Sequence, residues 1–238
     1  MNKVIQLTLN DLKNITRDDI LKYFFIAVPL LFIMVLVLVV PVFIEQFPAI
    51  AEYSEIIVTF FSLELPLIIG FVISFLMLDE KDERVFTALR VMPVSLFQFL
   101  FYRLFFAVFF AFVFIFFMLL LNDLHRISIV EMLLNSLAFA LITPILVLIE
   151  VSFASNKVTG FTVFKALNFI FMIPVASFFI ESKWSMLMGL IPTYWPMHSI
   201  YNSLNSELSF IHFIISILLS VSLIMILSLI FKRRVYSV

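Results

Sequence analysis

The run DEKDERVFTALRVMPVSLFQFLFYR, from Asp79 to Arg103, decides how the rest of this chain is read. It separates two long apolar stretches and opens with six consecutive charged residues, Asp79 to Arg84. A charged side chain at the centre of a bilayer costs about 2.5–3.5 kcal/mol on the insertion scale, so six cost on the order of 15–20 kcal/mol. The charged run therefore predicts a segment in water. After it, Val85, Leu89, Met92 and Leu96 recur at helical spacing. Pro93 ends that helix, because it donates no N–H and pushes Met92 away from the α region. Ser95 followed by Gln98 reads as a capping box that starts the next helix. The reading is a short amphipathic helix outside the membrane, a bend, and re-entry. Such an element is a handle for a soluble partner.

Composition agrees with a membrane setting. Of 238 residues, 64% are hydrophobic and 13% charged, against about 45–50% and about 25% in soluble domains. The net charge of −1 excludes a polybasic nucleic-acid binder. The chain has no cysteine, which rules out disulfides, thiol nucleophiles and cysteine zinc sites. His125, His198 and His212 are too scattered in sequence to predict a metal cluster. With only three glycines and 32 phenylalanines, packing between helices is expected to rely on aromatic contact. The first 22 residues are too polar for a signal-peptide core.

The fold class read from the pattern is an all-α integral membrane protein, with one transmembrane domain over 1–238. Requiring roughly 20 apolar residues per crossing places six transmembrane helices near 23–44, 58–78, 104–122, 133–153, 163–180 and 210–231. Residues 1–22 fit an amphipathic helix lying on the membrane surface. Thr16 with Asp19 reads as a capping box that restarts a helix near Arg17. Pro29, Pro41, Pro66, Pro144 and Pro174 predict kinks. Thirteen Lys and Arg fall on one side of this topology and two, Arg126 and Lys183, on the other. The positive-inside rule then makes both termini and the 79–103 loop cytoplasmic. The segment 181–209, with Trp184, Tyr194, Trp195 and Tyr201, predicts one or two short outer re-entrant-like helices before the last span.

Catalytic signatures are missing from the sequence. No glycine is followed by lysine, so there is no P-loop, and neither H-E-x-x-H nor G-x-S-x-G occurs. Glu64 lies well inside the second span, two residues before Pro66, and an ionisable residue there is a functional candidate. Glu64, Tyr194 and Trp195 are the candidate residues of a substrate pathway or outer gate. Glu150 is expected at the interface, paired with Lys157 or Lys165. A charged handle, six spans and no energy source fit a permease driven by a separate ATPase. An alternative is a membrane anchor or assembly protein that recruits a cytoplasmic partner through the same loop. A pore is disfavoured by the scarcity of polar residues within the spans.

The segment Glu80 to Ser95, EKDERVFTALRVMPVS, resembles the first cytoplasmic loop of type-2 ABC transporter permeases, especially the small drug-export permeases. Glu80, Glu83, Thr87, Leu89, Pro93 and Ser95 fit that pattern; Arg84 stands where glycine is frequent and Arg103 where lysine is frequent. Three further runs are similar to the family: NDLKNITRDD (Asn10–Asp19) to its entry helix, SNKVTGFTVFK (Ser155–Lys165) to its second cytoplasmic loop, and IPTYWP (Ile191–Pro196) to its outer segment. The resemblance implies a homodimer or heterodimer of permeases in a bacterial cell membrane, each copy seated on an ABC ATPase subunit. It makes the 79–103 loop a coupling helix, with Glu80, Glu83, Arg84, Thr87, Leu89, Arg90 and Pro93 as coupling residues. ATP and Mg would belong to the partner ATPase, and this chain would carry no cofactor and no enzymatic activity. The substrate would be apolar or amphipathic: a drug, a lipid or a peptide.

Overall fold

The computed structural model describes residues 11–83, 85–86, 96–180, 182–205 and 210–236. All regular structure among the described residues is helical. Six helices are long and apolar enough to cross a membrane: Asp19–Gln46, Pro48–Asp82, Phe97–Leu121, Ile129–Phe153, Lys157–Phe178 and Phe210–Val235. They are called spans 1 to 6 below, and they agree with the expected crossings apart from longer ends. The protein is a multi-pass membrane protein.

Spans 2 and 4 form the buried centre, and spans 5 and 6 are the least covered. Small residues decide where the centre closes. A Cβ on Gly70 of span 2 would meet Leu146 Cδ2 at 3.0 Å and the Thr143 carbonyl at 3.4 Å, so glycine lets spans 2 and 4 touch. Thr143 Oγ1 donates to the Pro66 carbonyl at 3.2 Å in the same interface. The helix Ser54–Asp82 runs through Pro66 without interruption. The three glycines thus count for more than their number promised, because two of them, Gly70 and Gly160, sit where helices cross closest. Phenylalanine fills the wider gaps. Phe71 packs against Phe24, Phe75 and Phe164, and Phe25 against Phe106 and Phe110.

The prolines of spans 1 and 4 disturb their helices as the sequence reading anticipates, each by its own route, whereas span 2 stays helical through Pro66 against that reading. Span 1 contains two π-helical turns, Tyr23–Ala27 and Val35–Val39. Each ends at a residue that bonds five positions back, Val28 to Tyr23 and Val40 to Val35, and each of these residues precedes a proline. Pro29 and Pro41 have no N–H and cannot take the next carbonyl of the ladder, so the helix widens by one residue. Span 4 breaks instead. Ile129–Ala140 and Ile142–Phe153 are separate helices joined at Leu141, where Pro144 cannot sit against the carbonyl four residues earlier.

The helix start expected near Arg17 lies slightly later. Asp18 is the cap, accepting from the amides of Ile20 and Leu21, while Thr16 Oγ1 bonds back to the Lys13 carbonyl. A single carboxylate oxygen, Asp18 Oδ1, takes both first-turn amides, and Thr16 is engaged by the preceding turn. Residues 11–17 are helical, as expected for the entry segment. Residues 1–10 lie outside the described residues.

Candidate functional site

The charged loop begins as a continuation of span 2. The helix Ser54–Asp82 includes the first four residues of the charged run, and Glu83 is its C-cap. Leu96–Leu121 starts the return at the expected place. Of the expected coupling residues, Glu80 and Glu83 are described. Arg84, Thr87, Leu89, Arg90 and Pro93, with the Ser95 cap, lie outside the described residues. Glu83 is exposed, and its backbone amide closes on the Asp79 carbonyl.

The expectation that the whole charged run stands in water fails at Glu80. Its carboxylate is mostly buried and is gripped by both terminal nitrogens of Arg103, with Nη2 to Oε1 at 2.8 Å and Nη1 to Oε2. Arg103 is 4% exposed and also reaches Asp11, with Nε to Oδ2 at 3.1 Å and Nη2 to Oδ1. Its guanidinium lies 4.8 Å from the centre of the Phe99 ring. A planar fork can hold two carboxylates at once, which a lysine ammonium cannot do with the same geometry. Charge pairing and hydrogen bonding make burial tolerable for all three groups.

A second bridge runs beside the first. Lys157 Nζ, at the start of span 5, lies 2.5 Å from Asp79 Oδ2 and 3.9 Å from Asp18 Oδ2. Between the two bridges, Lys81 Nζ donates to the Val151 carbonyl at 3.0 Å and the Ala154 carbonyl at 2.6 Å, capping the last turn of span 4. Phe86 is buried against Phe99 and Phe231, which brings span 6 into the same region. The base of the loop is therefore bound to the entry segment and to spans 3, 4, 5 and 6.

Glu150 corrects a second expectation. Lys157 pairs with aspartates instead, and Lys165 Nζ lies 4.3 Å over the Phe161 ring. Glu150 is fully buried, and neither carboxyl oxygen has a hydrogen-bond partner among the described residues. Ser74 is next to it, but the Ser74 hydroxyl donates to the Phe71 carbonyl at 2.9 Å. A Cβ on Gly160 would stand 3.3 Å from Glu150 Oε1 and 2.4 Å from Leu78 Cδ1, so glycine makes room for the acid. The apolar run on both sides of Glu150, LVLI before it and VSF after it, was the signal for burial. The lysines one loop away were too attractive as partners.

At the opposite end of the bundle, two short helices precede span 6, Lys183–Leu190 and Tyr194–Leu204. They match the short helices expected before the last span. Their aromatics close on one another instead of forming an open belt. Tyr194 is buried, with Trp195 at 5.2 Å and His198 at 4.2 Å between ring centres. Trp195 Nε1 donates to the Gly189 carbonyl at 2.9 Å. Thr193 Oγ1 donates to the Phe171 carbonyl at 2.7 Å and seats the helix on span 5. His198 and His212, far apart in sequence, are 5.9 Å apart here. Among the described residues no group of three metal-ligating side chains forms.

His198 Nε2 lies 2.9 Å from Ser177 Oγ. That hydroxyl gives its one proton to the Pro174 carbonyl at 2.6 Å, so His198 is the donor. Burial, and secondly the neighbouring His212, push the His198 imidazole down to about 4.

The structure brings Tyr194 and Trp195 together, and places Glu64 elsewhere. Glu64 neighbours the Asn168 side chain, on the face of span 2 that meets span 5. Sequence reasoning did not single out Asp11 or Asp18, and it named Asp79 only as the start of the charged run and Lys157 only as an expected partner of Glu150. Asp11 lies in the helix over 11–17 and Asp18 is the extended residue that caps the next helix, so no single helix face linked them in the sequence.

Comparison with known proteins extends over most of this architecture. A family model described as "Fluoroquinolones export permease protein Rv2686c-like" matches residues 11–228. Two relatives from Mycobacterium tuberculosis are each 27% identical over 194 residues, covering 78% of this chain and 77% of theirs. They are the fluoroquinolones export permease proteins MT2760 (strain CDC 1551 / Oshkosh) and Rv2686c (strain ATCC 25618 / H37Rv). No solved structure matches the chain at a significant level.

Proposed function

This chain belongs to the Rv2686c-like family of fluoroquinolone export permeases, and from that premise we propose that it is the membrane subunit of an ATP-driven drug exporter. A separate ABC ATPase subunit supplies the energy, with its own ATP and Mg, and grips the 79–103 loop from the cytoplasm. Two permease copies, identical or not, complete the complex in the cell membrane. The cargo is an amphipathic aromatic drug of the kind named for the relatives.

One observation carries the coupling role. Glu80 and Arg103, at the two ends of the loop, bind each other, and Arg103 also binds Asp11 of the entry segment. A loop whose feet are locked together transmits a push to the helices instead of absorbing it. Glu83, exposed beside that lock, is available for the ATPase.

The test is copurification with the ATPase, followed by drug-stimulated hydrolysis and efflux in proteoliposomes. Glu83→Ala and Leu89→Asp are expected to abolish drug stimulation while membrane insertion stays normal. Wild-type stimulation in both variants removes the coupling role from the loop. Export by this chain without any ATPase overturns the reading altogether.

A further inference from the structure

A cavity of about 20 Å³ sits at the end of the bundle that the division of Lys and Arg assigns to the outside. Three elements meet there: the start of span 4, the helix Tyr194–Leu204 and the start of span 6. They line it with Glu131 and Asn135, with Ser199 and Ser203, and with Phe210 and Phe213. That volume holds one group the size of a water molecule. The coupling role uses none of these residues.

The polar floor can be counted hydrogen by hydrogen. Asn135, Ser199 and Ser203 are all buried. Asn135 Nδ2 donates to the Glu131 carbonyl at 2.9 Å and to Ser203 Oγ at 3.0 Å. A carbonyl can only accept, which fixes the orientation of the amide. Asn135 Oδ1 accepts from Ser199 Oγ at 2.8 Å, and Ser203 Oγ donates to the Ser199 carbonyl at 3.0 Å. Every polar hydrogen of these three side chains is therefore spent, and what they still offer is acceptor lone pairs. Glu131 adds a carboxylate, whose Oε2 takes the Ser128 amide at 2.8 Å; such a group accepts about four bonds in all. A site that can only accept selects a group that only donates. An ammonium is that group, with three donors and no acceptor. Phe210 and Phe213 add aromatic surface, which favours a cation.

Position decides what carries the ammonium. Glu131 lies about 3 Å and Asn135 about 9 Å from the start of the helix Ile129–Ala140, a depth that matches the headgroup layer and its lower edge. Val130 and Leu133 on span 4, with Phe210 and Ile214 on span 6, are exposed apolar side chains flanking the cavity, a surface that lipid covers.

We propose that this cavity binds the primary ammonium of an outer-leaflet aminophospholipid, phosphatidylethanolamine being the simplest, on Glu131, Asn135, Ser199 and Ser203 with Phe210 and Phe213 beside it. Only the ammonium enters. The phosphate and acyl chains stay on the surface of spans 4 and 6. A bound headgroup ties span 4, the outer helix and span 6 to one another. Choline cannot take its place, because it has no N–H to donate and its methyl groups exceed the cavity. The assignment goes beyond the export reading and does not depend on it.

The test is lipid binding to the purified full-length chain by native mass spectrometry, with the melting temperature read on the same samples. The probes share identical acyl chains: phosphatidylethanolamine, its N-methyl and N,N-dimethyl forms, and phosphatidylcholine. Charge is constant along this series while the N–H donors fall from three to none. Affinity is expected to fall stepwise, about tenfold overall, and the melting temperature with it. Glu131→Gln keeps the capping box, which glutamine also forms, and is expected to remove most of the difference between the lipids. Phe213→Leu is expected to weaken phosphatidylethanolamine severalfold and leave phosphatidylcholine unchanged. Glu52→Gln alters an exposed acid that does not line the cavity and is expected to change nothing. Equal binding of the whole series by wild type overturns the proposal and leaves the cavity to a water molecule. So does a methylation series that is unchanged in both Glu131→Gln and Phe213→Leu. Soluble ethanolamine binding as tightly as the lipid assigns the site to a free amine and overturns the lipid assignment. No ATPase or drug is present, so each of these outcomes leaves the export reading untouched.

Discussion

Arg103 shows how much one side chain can organise. Its guanidinium is the shared partner of Asp11 and Glu80, and its burial leaves no water to replace either. Arg103→Ala leaves two carboxylates facing each other without a cation. The expected cost is roughly 3–5 kcal/mol, read as a fall in thermal stability of the detergent-solubilised protein. Arg103→Lys, which keeps one charge but not the fork, is expected to recover only part of it. His198 gives a prediction with a sign. Its imidazole is held at about 4 in the fold, against the ordinary 6.5. Between those values the unfolded chain binds a proton that the folded one refuses, so stability rises with pH across that window and its loss is complete below about 4. Thermal melts of wild type and His198→Asn are therefore expected to run parallel above pH 7 and to differ increasingly as pH falls from 6.5 to 4.5. Neither role was legible in the sequence. Arg103 showed only as the basic residue closing the charged loop before the third span, and the pairing of His198 with Ser177 depends on a fold-back that no local pattern encodes.

At the scale of elements, the entry segment and the charged loop behave as one piece. Asp11 and Asp18 supply one carboxylate to each of two parallel bridges, Arg103–Glu80 and Lys157–Asp79. The Lys157 bridge is about a third exposed, so its removal costs no more than about 1 kcal/mol in stability. Its value is in alignment. Asp79→Lys or Lys157→Asp alone is expected to reduce drug-stimulated ATPase activity several-fold with little change in melting temperature. The double exchange is expected to restore a substantial part. A double variant as poor as either single one would show that the pair does not act as a pair. The elements themselves were largely readable, since apolar length gave all six spans and proline chemistry anticipated the disturbances in spans 1 and 4. The shift of the entry cap to Asp18 and the extension of span 2 through Asp82 were not. Both follow from ion pairs formed with distant residues, which let charges remain helical where isolated charges would end the crossing.

For the whole molecule, sequence gave the number of crossings, and the structure adds which of them are central. Spans 2 and 4 are covered by their neighbours, while spans 5 and 6 present wide apolar faces. The division of Lys and Arg predicts which end lies in the cytoplasm, and the absence of native cysteine makes that easy to test. In intact cells, Asp123→Cys is expected to react with an impermeant maleimide, and Ser155→Cys only after the cells are opened; both positions are exposed. The reverse pattern would turn the loop away from any cytoplasmic ATPase. The closed grip of Glu80 on Arg103 has a further consequence for covalent continuity. Since the two feet of the loop hold each other, one peptide-bond cut between residues 87 and 95 leaves the N- and C-terminal fragments clasped. Two half-genes expressed together, divided at that point, should reassemble into a single particle.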